Sequence, residues 1–72
     1  MKPGSIVRLK QAVDDVFLYG IVLGHSHSND RLYVAVFSPG GSLRLDGSGM
    51  PIPEELRPDQ MTLVFGPEEE VM

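Results

Sequence analysis

Between Tyr19 and Phe37 the chain carries two apolar runs separated by a polar segment. The runs are Tyr19-Gly20-Ile21-Val22-Leu23-Gly24 and Leu32-Tyr33-Val34-Ala35-Val36-Phe37, with His25-Ser26-His27-Ser28-Asn29-Asp30 between them. β-Branched and aromatic residues fill both runs, and Asn29 and Asp30 tolerate the left-handed backbone of a hairpin tip. The pattern predicts an antiparallel hairpin. Upstream, Ser5-Ile6-Val7-Arg8-Leu9-Lys10 alternates after Val7. That predicts a first strand with Val7 and Leu9 facing a core and Arg8 and Lys10 facing water. Gln11 to Phe17, with its Asp14-Asp15 pair, reads as a surface loop, because so short a segment does not hold an isolated helix.

Downstream, Ser38-Pro39-Gly40-Gly41 is a turn in which proline presets one dihedral and the glycines accept positive ones. Ser42-Leu43-Arg44-Leu45-Asp46 alternates again and predicts a short strand, ended by Gly47-Ser48-Gly49. Met50-Pro51-Ile52-Pro53 must be extended, since a residue before proline is pushed out of the helical region. Pro53-Glu54-Glu55-Leu56 has proline at a first helical position and carboxylates near the positive end of the dipole. It predicts one helical turn, stopped by Pro58. Met61-Thr62-Leu63-Val64-Phe65 is the last strand, followed by Gly66 and an acidic tail over 67–72.

The chain's 72 residues form one domain, 1–72, and a domain of this size buries only about 60% of the surface its unfolded chain exposes. There is no cysteine, so no disulfide or thiolate metal site can staple it. The opening Met1-Lys2-Pro3-Gly4-Ser5 lacks the apolar core of a signal peptide, and no segment approaches the roughly 20 apolar residues of a membrane span. These features predict a soluble, cytoplasmic protein with no membrane partner. Six basic residues face ten acidic ones, for a formal charge of −4. Nucleic-acid affinity depends on neutralising phosphates, so this balance argues against a nucleic-acid partner. A local strip of Arg8, Lys10, Arg31 and Arg44 is the one arrangement that would reverse the argument.

Five short strands cannot bury two separate sheets, and a sheet that curls onto itself loses its exposed edges. The order is strand, loop, hairpin, turn, short strand, helical turn, strand. With Pro-Gly-Ser-Ile-Val-Arg-Leu at the opening, Tyr-Gly-Ile-Val-Leu-Gly, Val-Ala-Val-Phe before a glycine turn, and Glu-Glu-Leu-Arg-Pro-Asp-Gln-Met-Thr-Leu-Val at the end, the chain resembles an SH3-like barrel. Tudor and KOW modules share that architecture. The resemblance covers about Pro3 to Val64 and implies an all-β, five-stranded SH3-like barrel with one short helical turn before the last strand.

The residues that carry chemistry are few. His25 and His27 lie two positions apart, so on a strand both rings project from one side, with Asp30 nearby. They are only weak candidate metal ligands, because zinc wants three or four and no further histidine or cysteine supplies them, so a polar hairpin tip is the better account. Ser26 and Ser28 alternate to the face opposite the histidines, which is no catalytic triad. No Gly-x-Ser-x-Gly elbow or phosphate-cradling loop occurs, so neither hydrolase chemistry nor a cofactor is indicated. Glu54, Glu55 and Asp59 read as a helix start and a turn before they read as paired catalytic acids.

Apolar surplus is the feature closest to function. Leu32 to Phe37 offers apolar side chains to both faces of one strand, and Tyr19, Ile21 and Leu23 compete with Val22 on its neighbour. If Val34 and Val36 point inward, Tyr33, Ala35 and Phe37 point outward and join Tyr19 in an exposed patch. Such patches mark protein interfaces, where tyrosine and phenylalanine are favoured anchors. The competing account folds the segment from Gly47 to Pro58 over the patch through Met50, Ile52 and Leu56. The first account makes the protein a non-enzymatic interaction module, a regulator or assembly subunit. Its partner is another protein or its own copy, as a homodimer, and it binds through Tyr19, Tyr33 and Phe37. The opening Lys-Pro-Gly-Ser-Ile-Val-Arg-Leu is also similar to the start of toxin endoribonucleases, which implies Arg8 and Arg31 as phosphate contacts. Those enzymes are longer, with extra helices and a cationic groove. A KOW- or Tudor-type RNA- or DNA-binding barrel, using the same arginines, is the third alternative.

Overall fold

The computed structural model describes residues 2–27 and 30–66, so Ser28, Asn29 and the acidic tail fall outside the described part of the chain. It contains strands β1 (Ile6–Val13), β2 (Phe17–His25), β3 (Leu32–Phe37), β4 (Pro53–Leu56) and β5 (Met61–Phe65), with a 3₁₀ turn at Pro58–Gln60. All ladders are antiparallel, and the strands lie in one sheet in the order β4-β3-β2-β1-β5.

The central hairpin forms where the apolar runs predict it, with Gly20 opposite Val36, Val22 opposite Val34 and Tyr19 opposite Phe37. The first strand also follows its alternation. Val7 and Leu9 are buried, and Arg8 and Lys10 are exposed. These residues join Val22, Leu32, Val34, Val36 and Met61 in one core on the inner face of the sheet. Gly20 belongs to this face, and its missing side chain is a packing requirement. A Cβ there would collide with Cγ1 of Val34.

Three elements differ from their sequence patterns. Gln11 to Phe17 is not a loop. Strand β1 continues to Val13, the chain reverses over 14–16, and Val16 N–H donates to the Val13 carbonyl at 3.1 Å. Asp14 and Asp15 take φ of 53° and 60°, the left-handed backbone that aspartate adopts more readily than most residues. Ser42 to Asp46 is not a sheet strand but makes only isolated bridges, Phe37 with Leu43 and Leu45 with Pro51. Pro53 to Leu56 is not helical. Proline is tolerated at the first residue of an edge strand, and extension sends Leu56 opposite Leu32, where it packs against the core. A helix would forfeit that contact.

The sheet is open. Strands β4 and β5 are its edges, and no ladder joins them among the described residues. The chain between them turns through Pro58–Gln60, held by Gln60 N–H on the Arg57 carbonyl at 2.9 Å. A groove of about 220 Å³, lined by Leu9, Lys10, Gln11, Leu56, Arg57, Asp59 and Gln60, lies between the middle of β1 and the chain that joins β4 to β5. The inner rim is stitched by charge instead. Arg44 donates from Nε to Asp14 Oδ2 at 3.0 Å and from Nη1 to Glu54 Oε2 at 2.6 Å. One guanidinium thus ties the β1–β2 turn, the 38–52 connection and β4.

Candidate docking face

Pleating decides which apolar residues the core does not use. With Gly20, Val22, Val34 and Val36 committed to the inner face, Tyr19, Ile21, Tyr33, Ala35 and Phe37 stand on the outer one. Register then extends this face across the sheet. Phe65, Ile6, Ile21, Ala35 and Pro53 form one row over all five strands. Thr62, Arg8, Tyr19 and Phe37 form the next row, which Leu43 prolongs through its bridge to Phe37.

At the middle of this surface the Tyr19 and Phe37 rings stack with centroids 5.8 Å apart and planes 21° from parallel. That spacing is within the range of favourable offset aromatic pairs, so the two rings fix each other's orientation. Ile6, Tyr19, Ile21, Tyr33 and Phe37 are all half-exposed. Of the three anchors of the segment expected to roof them, Ile52 is half-buried and the other two are turned elsewhere. Leu56 serves the inner core, and Met50 is 61% exposed.

Of the residues singled out in the sequence, Tyr19, Phe37 and Arg8 are brought together. Tyr33 shares their face but lies four residues along β3 from Phe37, roughly 13 Å away. Arg8 is exposed and makes no ion pair among the described residues. Arg31 lies just before β3, at the end of that strand remote from Phe37, and Nε sits 4.0 Å from Asp30. It does not share a strip with Arg8, and Arg44 is committed to Asp14 and Glu54. The extended basic strip therefore does not assemble. His25 ends β2 and His27 sits in the bend beyond, both exposed, and among the described residues no three His, Cys, Asp or Glu side chains gather as a metal site.

Sequence reasoning missed Ile6, Leu43 and Phe65 as members of the face. Ile6 was recoverable, since it alternates with the inward Val7. Phe65 was not, because a register shift between Ile6 and Val7 in the β1–β5 ladder turns it onto the outer row.

The chain matches no family model, no curated protein and no solved structure. No helix among the described residues is long and apolar enough to cross a membrane.

Proposed function

We propose that the protein is a non-enzymatic interaction module that binds another protein through the outer face of the β1–β2–β3 sheet. The stacked, half-buried Tyr19–Phe37 pair, set in a row with the exposed Arg8, carries this reading. The partner it fits presents apolar side chains to Tyr19, Ile21 and Phe37 and a carboxylate to Arg8. Aromatic residues and arginine are the usual energetic anchors of such contacts. The SH3-like description belongs to the same proposal. It draws support from the strand order and from the 3₁₀ turn before β5.

The test is capture from the native cell with the wild-type chain and with Phe37→Ala and Arg8→Ala variants, followed by binding of the purified partner. A partner lost with Phe37→Ala and weakened by Arg8→Ala supports the reading. A Tyr33→Ala, Phe37→Ala double variant that keeps every partner removes it. Cleavage of RNA by the purified protein, abolished in Arg8→Ala, would replace it with the endoribonuclease alternative.

A further inference from the structure

The outer face carries two opposite charges that cannot meet within one molecule. A third row, Tyr33 opposite Glu55, lies beyond the Ile6–Ile21–Ala35–Pro53 row from Arg8, Tyr19 and Phe37. Across these three rows Arg8 is the one cation and Glu55 the one anion, so the face is neutral in a chain of formal charge −4. Both are exposed, and neither forms an ion pair among the described residues. They stand at opposite corners, on β1 and β4 and two rows apart, which places their Cα atoms about 20 Å from each other. An arginine and a glutamate side chain do not bridge that distance.

We infer that the partner of this face is a second copy of the chain, packed face to face about a two-fold axis that sets Arg8 against Glu55 of the partner subunit at both ends of the contact. Such packing presupposes the outer face as the contact surface proposed above. The placement of the two charges selects the occupant. A two-fold contact is self-complementary, so a cation in it requires an anion at the position that the axis exchanges with it. The axis that exchanges Arg8 and Glu55 lies in the plane of the interface, passes between Ile21 and Ala35, and runs at about 45° to the strands. It therefore crosses the apolar centre of the face. Strands of the two copies then cross near a right angle, one of the two arrangements in which sheet faces pack. The same operation sets Tyr33 over Ile6 of the partner subunit and Tyr19 over Pro53 of the partner subunit. Rings that the core does not use are thereby covered by apolar groups. An isologous contact of this kind closes after two copies. It covers on the order of 400 Å² per copy, the weak end of specific interfaces.

Sedimentation and light scattering of the full chain from about 5 to about 500 μM cover the affinity expected of so small a contact. The unmodified chain is expected to show a monomer–dimer equilibrium. Arg8→Glu and Glu55→Arg should each raise its dissociation constant at least about tenfold, since each reversal sets like charges together at both ends. A mixture of the two variants should dimerise within about threefold of the unmodified chain, because both ends of the mixed pair again join opposite charges. That recovery also shows both variants to be folded. A strictly monomeric chain, a dimer indifferent to either reversal, or a mixture no tighter than its components overturns the inference. A monomeric chain whose Phe37→Ala variant loses a cellular partner removes the second copy and leaves the docking face in place. A Tyr33→Ala, Phe37→Ala double variant that keeps every partner, a second copy included, removes both.

Discussion

Both faces of the sheet carry apolar side chains, and the two are treated in opposite ways. On the inner face Val7, Val22, Val34 and Val36 are at most 1% exposed, and Gly20 is kept bare so that β2 can approach Val34. On the outer face Tyr19 and Phe37 stack on each other, and Tyr19, Ile21, Tyr33 and Phe37 are each only half-buried. A folding requirement explains the first arrangement only. A small domain needs one sealed core, and the apolar residues left over on the other side add surface that water solvates poorly. The contrast teaches that hydrophobicity in this chain serves two purposes, and that mutational cost should separate them.

The largest effects should fall on the inner face. Val34→Ala removes two methyl groups from a sealed site and is expected to cost about 2–3 kcal/mol, read as a lower denaturation midpoint at unchanged slope. Gly20→Ala tests the same packing from the opposite direction. In an unstrained strand that change usually gains a few tenths of a kcal/mol by restricting the unfolded chain. Here the new Cβ meets Val34 and lies 3.4 Å from the Ala35 carbonyl, so about 1–3 kcal/mol of destabilisation is expected. A neutral or stabilising Gly20→Ala would mean that the inner face is looser than its geometry states.

Phe37→Ala is the variant that sharpens the comparison. A phenylalanine in a working core costs about 3–5 kcal/mol on truncation. On the outer face it should cost about 1 kcal/mol, mostly the lost stack with Tyr19. A thermal or urea transition displaced as far as that of a core variant would show that the outer face is a second core. Near-normal stability with lost partner binding would show that it is a contact surface.

How much of this was legible in the sequence follows from the range over which each signal acts. The central hairpin, the inward Val7 and Leu9 and the final strand are local patterns of period two, and the residues state them directly. Outward placement of Tyr33, Ala35 and Phe37 followed once Val34 and Val36 were assigned to the core. What failed needed partners distant in the chain. Pro53-Glu54-Glu55-Leu56 has a helical start signal, and only Leu32, twenty-four residues earlier in the chain, makes it a strand. Leu43 and Leu45 alternate like strand residues, but the turn at Gly41 and the Asp46 loop leave them isolated bridges. The Asp14–Arg44–Glu54 cluster unites three segments that no local pattern relates. Closure of the sheet was inferred from the general cost of exposed edges, and among the described residues no ladder joins β4 to β5.

Arg44 sits on the rim between the two faces. Its side chain is 25% exposed and that of Glu54 is 29%, so solvent screens the pair only in part. Arg44→Ala is expected to cost about 1–2 kcal/mol, above the range of fully exposed pairs because one guanidinium serves two carboxylates. The cost should shrink in high salt, and a double-mutant cycle with Glu54→Gln should return a non-zero coupling. Additive single effects would assign Arg44 to packing alone.

The smallest effect lies farthest from both faces, at the loop after Leu45. Asp46 Oδ1 accepts hydrogen bonds from Ser48 Oγ at 2.6 Å, Ser48 N–H at 2.8 Å and Met50 N–H at 3.0 Å. The Ser48 hydroxyl, followed by the Met50 and Ser48 amides, holds the Asp46 carboxyl below its ordinary range, because all three donate to the charged form. A folded-state value below the unfolded one means that the loop is fully supported above the ordinary aspartate range. That support is lost as pH falls through the lowered value. Acid should therefore release the Ser48 and Met50 amides together, seen as shared titration of their NMR shifts with the Asp46 carboxylate, while Val22 and Val34 remain unmoved. Asp46→Asn should reduce that coupled response, and a titration of the two amides that persists in the variant would assign it to another group.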